Sequence, residues 1–300
     1  MVDNKRIIDA FIFCDEVDYL KSRLETLDEY VDYFVILDTG SRDETSNLIK
    51  EWSDETNIKG EIYQSTFINF RDSRNEALKY CQNSHYEFDY ILLCDADMNL
   101  IIKSDFDKNE LYDDVYMIQQ INGSLSYFNI RLIKKNIVCE YKSPTHEYLD
   151  VGTSQKNYCY SLYFDDKGDG GSKTNKYTRD IKILENELSI NPNLQRETFY
   201  LAQSYHCLGL YNKAIEIYEK RINLKGWKEE IFISWYRIGN IYYEELEYNK
   251  RDYDKAIRAY LKALSTNNER LEPVYKLVKL TRESGDYTLA YCFSKMAKNK

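Results

Sequence analysis

The stretch Tyr90-Ile91-Leu92-Leu93-Cys94-Asp95-Ala96-Asp97-Met98 decides the fold class of this chain. Its first five residues are mostly apolar and rich in branched side chains, which predicts a short buried strand. Asp95 and Asp97 then stand at the carboxyl end of that strand, where open α/β sheets bind ligands. In an extended segment both carboxylates point the same way. They suit Mg²⁺ or Mn²⁺ with a phosphate-bearing substrate, and solvated acids at a turn are the plainer alternative.

Strand-like and helix-like segments alternate around this stretch. The strand-like segments are Ile7 to Phe13, Tyr33 to Leu37, Gly60 to Tyr63 and Tyr90 to Cys94. The helix-like segments are Asp18 to Tyr30, a segment opening at Ser41 with Glu44 as a capping box, and Asp72 to Cys81. Such alternation implies βαβ units, so we predict an α/β, Rossmann-like first domain with a mostly parallel sheet.

A second domain follows a stretch rich in Gly and polar residues, Asp165 to Ser172, where we place the boundary. The first domain is therefore predicted to span residues 1–170, and the second to span 171–300. Small and aromatic residues recur in the second domain, and Ala256 and Ala290 are 34 residues apart, the tetratricopeptide period. We predict an all-α domain of three such repeats with an insertion near residues 245–251. An ordinary helical bundle is the alternative.

Charge and composition exclude several classes of protein. The net charge is −9, with 33 Asp+Glu against 18 Lys+Arg in the first 172 residues. An acidic domain is a poor nucleic-acid binder because phosphate binding needs clustered cations. No apolar run is long enough to cross a membrane, and the N-terminus lacks the features of a signal peptide. The seven cysteines show no paired spacing, which favours reduced thiols and a cytoplasmic protein.

Three further clusters of the first domain have the residue types of a ligand site. The Gly-containing turn from Asp38 to Thr45 follows the second predicted strand and brings backbone N–H groups near a ligand. Arg71 and Arg74 lie on one face at a helix start and suit a diphosphate, although salt bridges with nearby acids are the simpler explanation. His146 and Glu147 offer an imidazole ligand and a general base.

Taken together, these clusters resemble the family 2 glycosyltransferases, which have the GT-A fold. Cys14-Asp15-Glu16 sits where that family usually has Asn-Glu, with Cys14 as a departure. The turn after Asp38 resembles its nucleotide-binding turn, and Phe70 to Leu78 resembles its F-x-x-x-R-N-x-x-L segment. Asp95-Ala96-Asp97 falls at its DxD metal motif, and His146-Glu147 resembles a pair found in some members. Arg6 to Leu37 is also similar to glycosyltransferase family 17, and the tail is similar to the tetratricopeptide repeats that follow certain family 2 domains.

The resemblance implies a role for each matching residue. The nucleotide sugar would be bound by Glu16, Asp38, Arg71, Arg74, Asn75 and Asp95. A divalent cation, Mn²⁺ or Mg²⁺, would be bound by Asp95, Asp97 and His146. Asp97 would act in catalysis through this metal. Glu147 is the first choice for the catalytic base, with Asp165, Asp166 and Asp169 as alternatives.

The expected activity is metal-dependent transfer of a hexosyl or N-acetylhexosaminyl group from a nucleotide sugar, with UDP as the expected nucleotide. The acceptor would be a hydroxyl of a protein, peptide or glycan, and the reaction is expected to invert the anomeric centre. The repeat domain would bind the acceptor or a partner, or else support the catalytic domain or form homo-oligomers. Two alternatives remain, a non-enzymatic tetratricopeptide adaptor with a silent nucleotide-binding domain and a sugar-1-phosphate nucleotidyltransferase.

Overall fold

The computed structural model describes residues 5–28, 30–166 and 175–298, which form two compact units divided after Asn175. The predicted boundary, between residues 170 and 171, lies outside the described residues, so its position stays a prediction. Each unit is described on its own below.

The first unit contains ten strands and three α-helices among its described residues. The strands are β1 (Ile7–Phe13), β2 (Tyr33–Asp38), β3 (Lys59–Gln64), β4 (Tyr90–Leu93), β5 (Met98–Ile102), β6 (Val115–Asn122), β7 (Leu125–Lys134), β8 (Glu140–Lys142), β9 (Tyr148–Asp150) and β10 (Lys156–Asp166). The helices are α1 (Val17–Glu25), α2 (Thr45–Thr56) and α3 (Phe70–Gln82), and a short 3-10 turn spans Lys108–Glu110. The four predicted strands and the three predicted helices are all present.

Eight strands form one sheet in the order β3-β2-β1-β4-β7-β6-β10-β5, and β8 pairs with β9 in a separate hairpin. Strands β3, β2, β1 and β4 are mutually parallel, as are β6 and β10. The pairs β4–β7, β6–β7 and β5–β10 are antiparallel. The predicted α/β class with a mostly parallel sheet is therefore confirmed.

Helices cover both faces of the parallel half of the sheet, which explains why β1, β2 and β4 are apolar almost throughout. On one face, Phe11 of β1 belongs to the same buried cluster as Leu24 of α1 and Trp52 of α2. On the other face, Ala10 of β1 is buried with Leu78 of α3. Burial of a Leu or Phe side chain contributes roughly 1.5–3 kcal/mol, so these two clusters fix the strands whose ends form the candidate site.

The second unit is helical throughout its described residues. Its helices are α4 (Lys176–Ile190), α5 (Gln195–Cys207), α6 (Tyr211–Asn223), α7 (Lys228–Asn240), α8 (Tyr253–Thr266), α9 (Glu272–Glu283) and α10 (Tyr287–Lys298). The predicted repeats coincide with the helix pairs α5–α6, α7–α8 and α9–α10, so the all-α class is confirmed. At the predicted insertion, α7 continues into a π-helical turn (Ile241–Glu245), and a 3-10 turn (Tyr248–Lys250) follows.

No helix within the described part of either unit is both long and apolar enough to cross a membrane.

Candidate active site

The carboxyl ends of three parallel strands meet at one edge of the sheet. Phe13, the last residue of β1, pairs with Asp38, the last residue of β2, and Ala10 of β1 pairs with Leu93 of β4. Asp38 ends β2, and the segments that follow β1 and β4 contain Glu16 and Asp95, so all three predicted site residues lie at strand ends. Parallel pairing thus brings three predicted clusters to the same edge, where α/β folds bind ligands.

Asp38 organises the turn that follows β2. Its side chain is only 4% exposed, and Oδ1 accepts hydrogen bonds from the backbone N–H groups of Gly40 (3.0 Å) and Ser41 (2.8 Å). Oδ2 accepts a further bond from the Ser46 hydroxyl at 3.0 Å. Gly40 has a φ of +117°, which side-chain-bearing residues rarely adopt. Asp38 therefore fixes the conformation of this turn, and its predicted contact with a nucleoside stays a prediction.

A second carboxylate, Asp15, links the turns after β1 and β2. Its Oδ1 accepts hydrogen bonds from the N–H groups of Arg42 (2.7 Å) and Asp43 (3.3 Å). Asp15 itself has a φ of +55°, a conformation that Asp tolerates better than most residues. Next to it, the backbone N–H of Glu16 donates to the Thr45 hydroxyl at 3.0 Å, and Glu16 is nearly buried.

The capping box predicted at Ser41 and Glu44 is wrong. Helix α2 begins at Thr45, and Glu44 makes no side-chain capping hydrogen bond. Asp43 is the side chain that accepts a hydrogen bond from the Thr45 N–H, at 3.0 Å. Ser41 is engaged elsewhere, because its hydroxyl accepts a bond from the Asp15 N–H at 3.2 Å. The Ser41 hydroxyl is thus bonded to Asp15, just after β1, and Asp43 takes the capping role, so the predicted capping box does not form.

Arg74 lies at the centre of an ionic network. Its Nε donates to Oε1 of Glu147 at 2.7 Å, and its Nη2 donates to Oδ1 of Asp95. The second oxygen of Asp95 accepts from Nη2 of Arg131 at 2.8 Å. The four side chains are between 8% and 17% exposed, so solvent screens these charges weakly.

The network fixes the charge state of its members. Burial alone would raise the pKa of Asp95, but the positive charges of Arg131 and Arg74 outweigh it and hold that pKa well below its usual value. Burial likewise disfavours the charged form of Arg74, yet the Asp95 and Glu147 carboxylates raise its pKa further. Asp95 is therefore a carboxylate, and Arg74 is a cation, at any physiological pH.

Asn75 connects helix α3 to the hairpin that contains Glu147. Its Nδ2 donates to the carbonyl oxygen of Tyr141 at 3.0 Å, and its Oδ1 accepts from the Tyr141 N–H at 2.7 Å. The side-chain amide of Asn75 thus pairs with both backbone groups of Tyr141, as the backbone of a neighbouring strand would. At the start of α3, the Phe70 N–H donates to the Pro144 carbonyl at 3.0 Å. Both contacts hold the β8–β9 hairpin against α3, and the predicted nucleotide contact of Asn75 stays a prediction.

Arg71, predicted beside Arg74, pairs with its neighbour. Its Nε lies 2.8 Å from Oδ1 of Asp72, the salt bridge that the sequence offered as the simpler explanation. The hydrogen bonds from Arg71 and Asn69 overcome partial burial and lower the pKa of Asp72. Arg71 is 27% exposed against 14% for Arg74, so the two arginines occupy different environments.

The metal ligands predicted at this edge fit a cation only in part. Asp97 supplies a half-buried carboxylate, a donor type that Mg²⁺ and Mn²⁺ prefer, and His146 is half-buried in the β8–β9 turn with a φ of +52°. Both oxygens of Asp95 already accept bonds from arginines. Each of these oxygens keeps a second lone pair, so a cation would share the carboxylate with the two arginines, and Asp95 as a metal ligand stays a prediction.

Among the described residues, no three His, Cys, Asp or Glu side chains are grouped to hold a metal ion. The alternative bases Asp165 and Asp166 end β10, where Asp166 pairs with Met98, the neighbour of Asp97. Asp169 lies outside the described residues.

Sequence reasoning missed two residues at this edge. Arg131 was not selected because the sequence does not reveal that β7 lies beside β4. Tyr127, four residues earlier on β7, is close enough to Asp166 and Asp95 that their charges, after the effect of burial, raise its pKa. The available signal was Arg131, a basic residue within the apolar run from Ile130 to Ile133.

The sheet therefore carries acids and arginines at its carboxyl edge, where open α/β sheets bind ligands. Two curated proteins are similar in sequence, the SPbeta prophage-derived glycosyltransferase SunS of Bacillus subtilis (strain 168) and the glycosyltransferase SunS of Bacillus phage SPbeta. Each is 24% identical over 74% of this chain and 54% of its own length. The chain thus spans about half the length of the curated relatives it matches. The predicted resemblance to glycosyltransferases is confirmed by this sequence similarity.

No protein-family model matches the chain. Among solved structures, S. aureus TarS 1-349 is 12% identical with a TM-score of 0.41, covering 98% of this chain and 91% of its own. The MamA protein is 24% identical with a TM-score of 0.34, covering 44% of this chain and 67% of its own.

Proposed function

We propose that this chain is a glycosyltransferase that moves a sugar from a nucleotide sugar to an acceptor hydroxyl. The observation that carries the proposal is the meeting of the Asp38 turn, the Asp95–Asp97 turn and the Arg74 network at one sheet edge. The sequence similarity to glycosyltransferases supports it. UDP as the nucleotide, a hexosyl or N-acetylhexosaminyl group and inversion at the anomeric centre are the finer parts of this proposal.

The residues of the network have distinct roles in this reaction. Negative charge grows on the departing diphosphate, and the cation Arg74, which is 14% exposed, would stabilise it by hydrogen bonding. Asp95 and Glu147 hold that guanidinium in a fixed orientation. The turn shaped by Asp38 would receive the nucleoside, with Glu16 at its side.

Inversion requires a base beside the acceptor hydroxyl. Glu147 is the first candidate, but Arg74 engages its Oε1, so the base role would fall to the other carboxylate oxygen. Asp165 and Asp166 are the alternatives, on the side of the site where β10 meets β5.

A divalent cation, Mn²⁺ or Mg²⁺, belongs to the proposal. Asp97 and His146 are the residues that would hold it, together with the diphosphate of the donor. When bound, such a cation neutralises negative charge on the leaving group.

The second unit is proposed to bind the acceptor or another partner. Tetratricopeptide arrays bind peptides and extended ligands on a concave surface. Support of the first unit or self-association are the other roles that its helix pairs allow.

The test compares Asp97→Asn with Asp105→Asn, an exposed acid in the loop after β5. Nucleotide sugars that raise the melting temperature with Mn²⁺ are identified first, because native-state ligands stabilise proteins. Transfer or hydrolysis of the sugar is then measured. We expect Asp97→Asn to abolish turnover and Asp105→Asn to retain it. Normal turnover by Asp97→Asn would refute the role of Asp97, and a wild-type chain that binds no nucleotide sugar would favour the adaptor.

The same preparation tests the second alternative. A sugar-1-phosphate nucleotidyltransferase releases pyrophosphate from a nucleoside triphosphate and a sugar phosphate, whereas a glycosyltransferase releases a nucleoside diphosphate. Pyrophosphate release without sugar transfer would replace the proposed reaction.

A further inference from the structure

Arg131 is the extra residue of a β-bulge. Between β6 and β7, Tyr116 pairs with Leu132 and Met117 pairs with Ile130, which leaves Arg131 without a partner in the ladder. Bulges are common beside active sites because they redirect one side chain. This one turns the Arg131 side chain inward, where it is only 8% exposed.

The Arg131 guanidinium joins three separate segments. Its Nη1 donates to the carbonyl oxygen of Leu93, the last residue of β4, at 3.2 Å, and its Nη2 donates to Oδ2 of Asp95 at 2.8 Å. Its Nε donates to Oε1 of Gln120 on β6 at 3.1 Å, and Gln120 is fully buried. The planar guanidinium therefore fixes the end of β4 relative to β6, together with the first acid of the following turn.

We propose that Arg131 is a positioning residue that holds the Asp95–Asp97 turn and, through Asp95, orients the Arg74 guanidinium. Arg74 and Arg131 bind opposite oxygens of the same carboxylate, so loss of Arg131 frees Asp95 to rotate. Only the catalytic consequence of this inference rests on the proposed glycosyl transfer. The structural part, that the turn is held by Arg131, does not depend on it.

The matched control is Arg221 in the second unit. Arg221 is fully buried, its Nε donates to Oε2 of Glu230 at 2.7 Å, and its Nη1 donates to the Lys225 carbonyl at 2.6 Å. Arg221→Met thus removes a buried guanidinium with the same kinds of partner, a carboxylate and a carbonyl. Comparison with Arg131→Met separates a loss of general stability from a loss of positioning.

The first measurement is hydrogen exchange of the full chain in Arg131→Met, Arg131→Lys and Arg221→Met. The amides to follow are those of Cys94, bonded to the Ala10 carbonyl, and Met98, bonded to the Asp95 carbonyl. We expect exchange at these amides to rise at least about ten-fold in Arg131→Met and to stay at the wild-type rate in Arg221→Met. Arg131→Lys retains the positive charge but lacks the planar guanidinium, so its exchange rates should lie between those of the two Met variants.

The second measurement is the split between kcat and KM for the donor. A misplaced turn should lower kcat by about a hundred-fold in Arg131→Met, with a smaller change in KM. Wild-type exchange at Cys94 and Met98 in Arg131→Met would overturn the inference, as would equal kinetic losses in the two Met variants. If the wild-type chain transfers no sugar, the proposed function fails, and the exchange result still decides whether Arg131 holds the turn.

Discussion

At the scale of single residues, most predicted ligands of this site already have partners within the protein. Asp38 bonds to its own turn, Asp95 to two arginines and Asn75 to the backbone of Tyr141. A site residue that is held in this way is preorganised, because it need not give up rotational freedom when the ligand binds. In the F-x-x-x-R-N segment, Arg74 therefore supplies a positive charge, and Asn75 holds strand β8 against helix α3 through two hydrogen bonds.

The contribution of the two Asn75 hydrogen bonds to stability can be tested by Asn75→Asp. The substitution places a carboxylate oxygen against the Tyr141 carbonyl in place of a donating amide, so we expect about 1–3 kcal/mol loss in the free energy of unfolding. The control is Gln82→Glu at the other end of α3, where Nε2 donates a single bond to the Ile137 carbonyl at 3.1 Å. Urea unfolding at neutral pH measures both. Equal losses would mean that Asn75 contributes no more to stability than a side chain with a single hydrogen bond to a carbonyl.

At the scale of elements, apolar runs predicted strands well. A parallel strand that is buried on both faces has apolar side chains along its length, so its own sequence is enough to identify it. The run Ile7 to Phe13 became β1 with the same bounds, and Tyr90 to Cys94 became β4 with one residue fewer. Contacts between elements were harder to predict. The bulge at Arg131 depends on the register of β6 against β7, and the failed capping box depends on Asp15, 26 residues before Ser41.

Another contact between elements is the close crossing of α7 and α8 at Gly239. A Cβ atom added at Gly239 would lie 2.6 Å from the ring of Tyr260, which is fully buried and bonded to Asn240. Gly239→Ala should therefore destabilise the protein by about 1–3 kcal/mol through overpacking. Helix propensity alone predicts the opposite sign, a gain of roughly 0.5–1 kcal/mol.

The double substitution Gly239→Ala with Tyr260→Leu separates these two effects. With the ring removed, the added methyl has room, so Ala should cost little or stabilise relative to Tyr260→Leu alone. Thermal unfolding of the four variants gives the coupling between the two sites. The same cost of Ala in both backgrounds would contradict the close-packing explanation.

At the scale of the whole molecule, the charge asymmetry seen in the sequence has a structural counterpart. The acids of the first unit are offset in part by arginines gathered at the sheet edge. In the second unit, Glu244 bridges Lys276 and Lys279 on α9, and these hydrogen bonds outweigh partial burial and lower its pKa. Asp95 in the first unit and Glu244 in the second thus have lowered pKa values, and protonation of such carboxylates at low pH destabilises the folded state.

Glu61 on β3 offers the sharpest test of this acid sensitivity. Partial burial raises its pKa, but hydrogen bonds from Tyr63, Tyr33 and Ser84 outweigh burial and lower the pKa below 4.5. A lowered pKa in the folded state stabilises the protein above pH 4.5, and this stabilisation is lost as the pH falls through the folded-state pKa.

Glu61→Gln should therefore cost about 1 kcal/mol at pH 7, a value discounted for solvent screening, and progressively less as the pH approaches 3. The measurement is the free energy of unfolding in urea at several pH values, for the wild type and the variant. Glu51→Gln on α2 is the control, because Glu51 is exposed. A difference between wild type and Glu61→Gln that stays constant from pH 7 to pH 3 would show that the tyrosine bonds do not favour the ionised carboxylate.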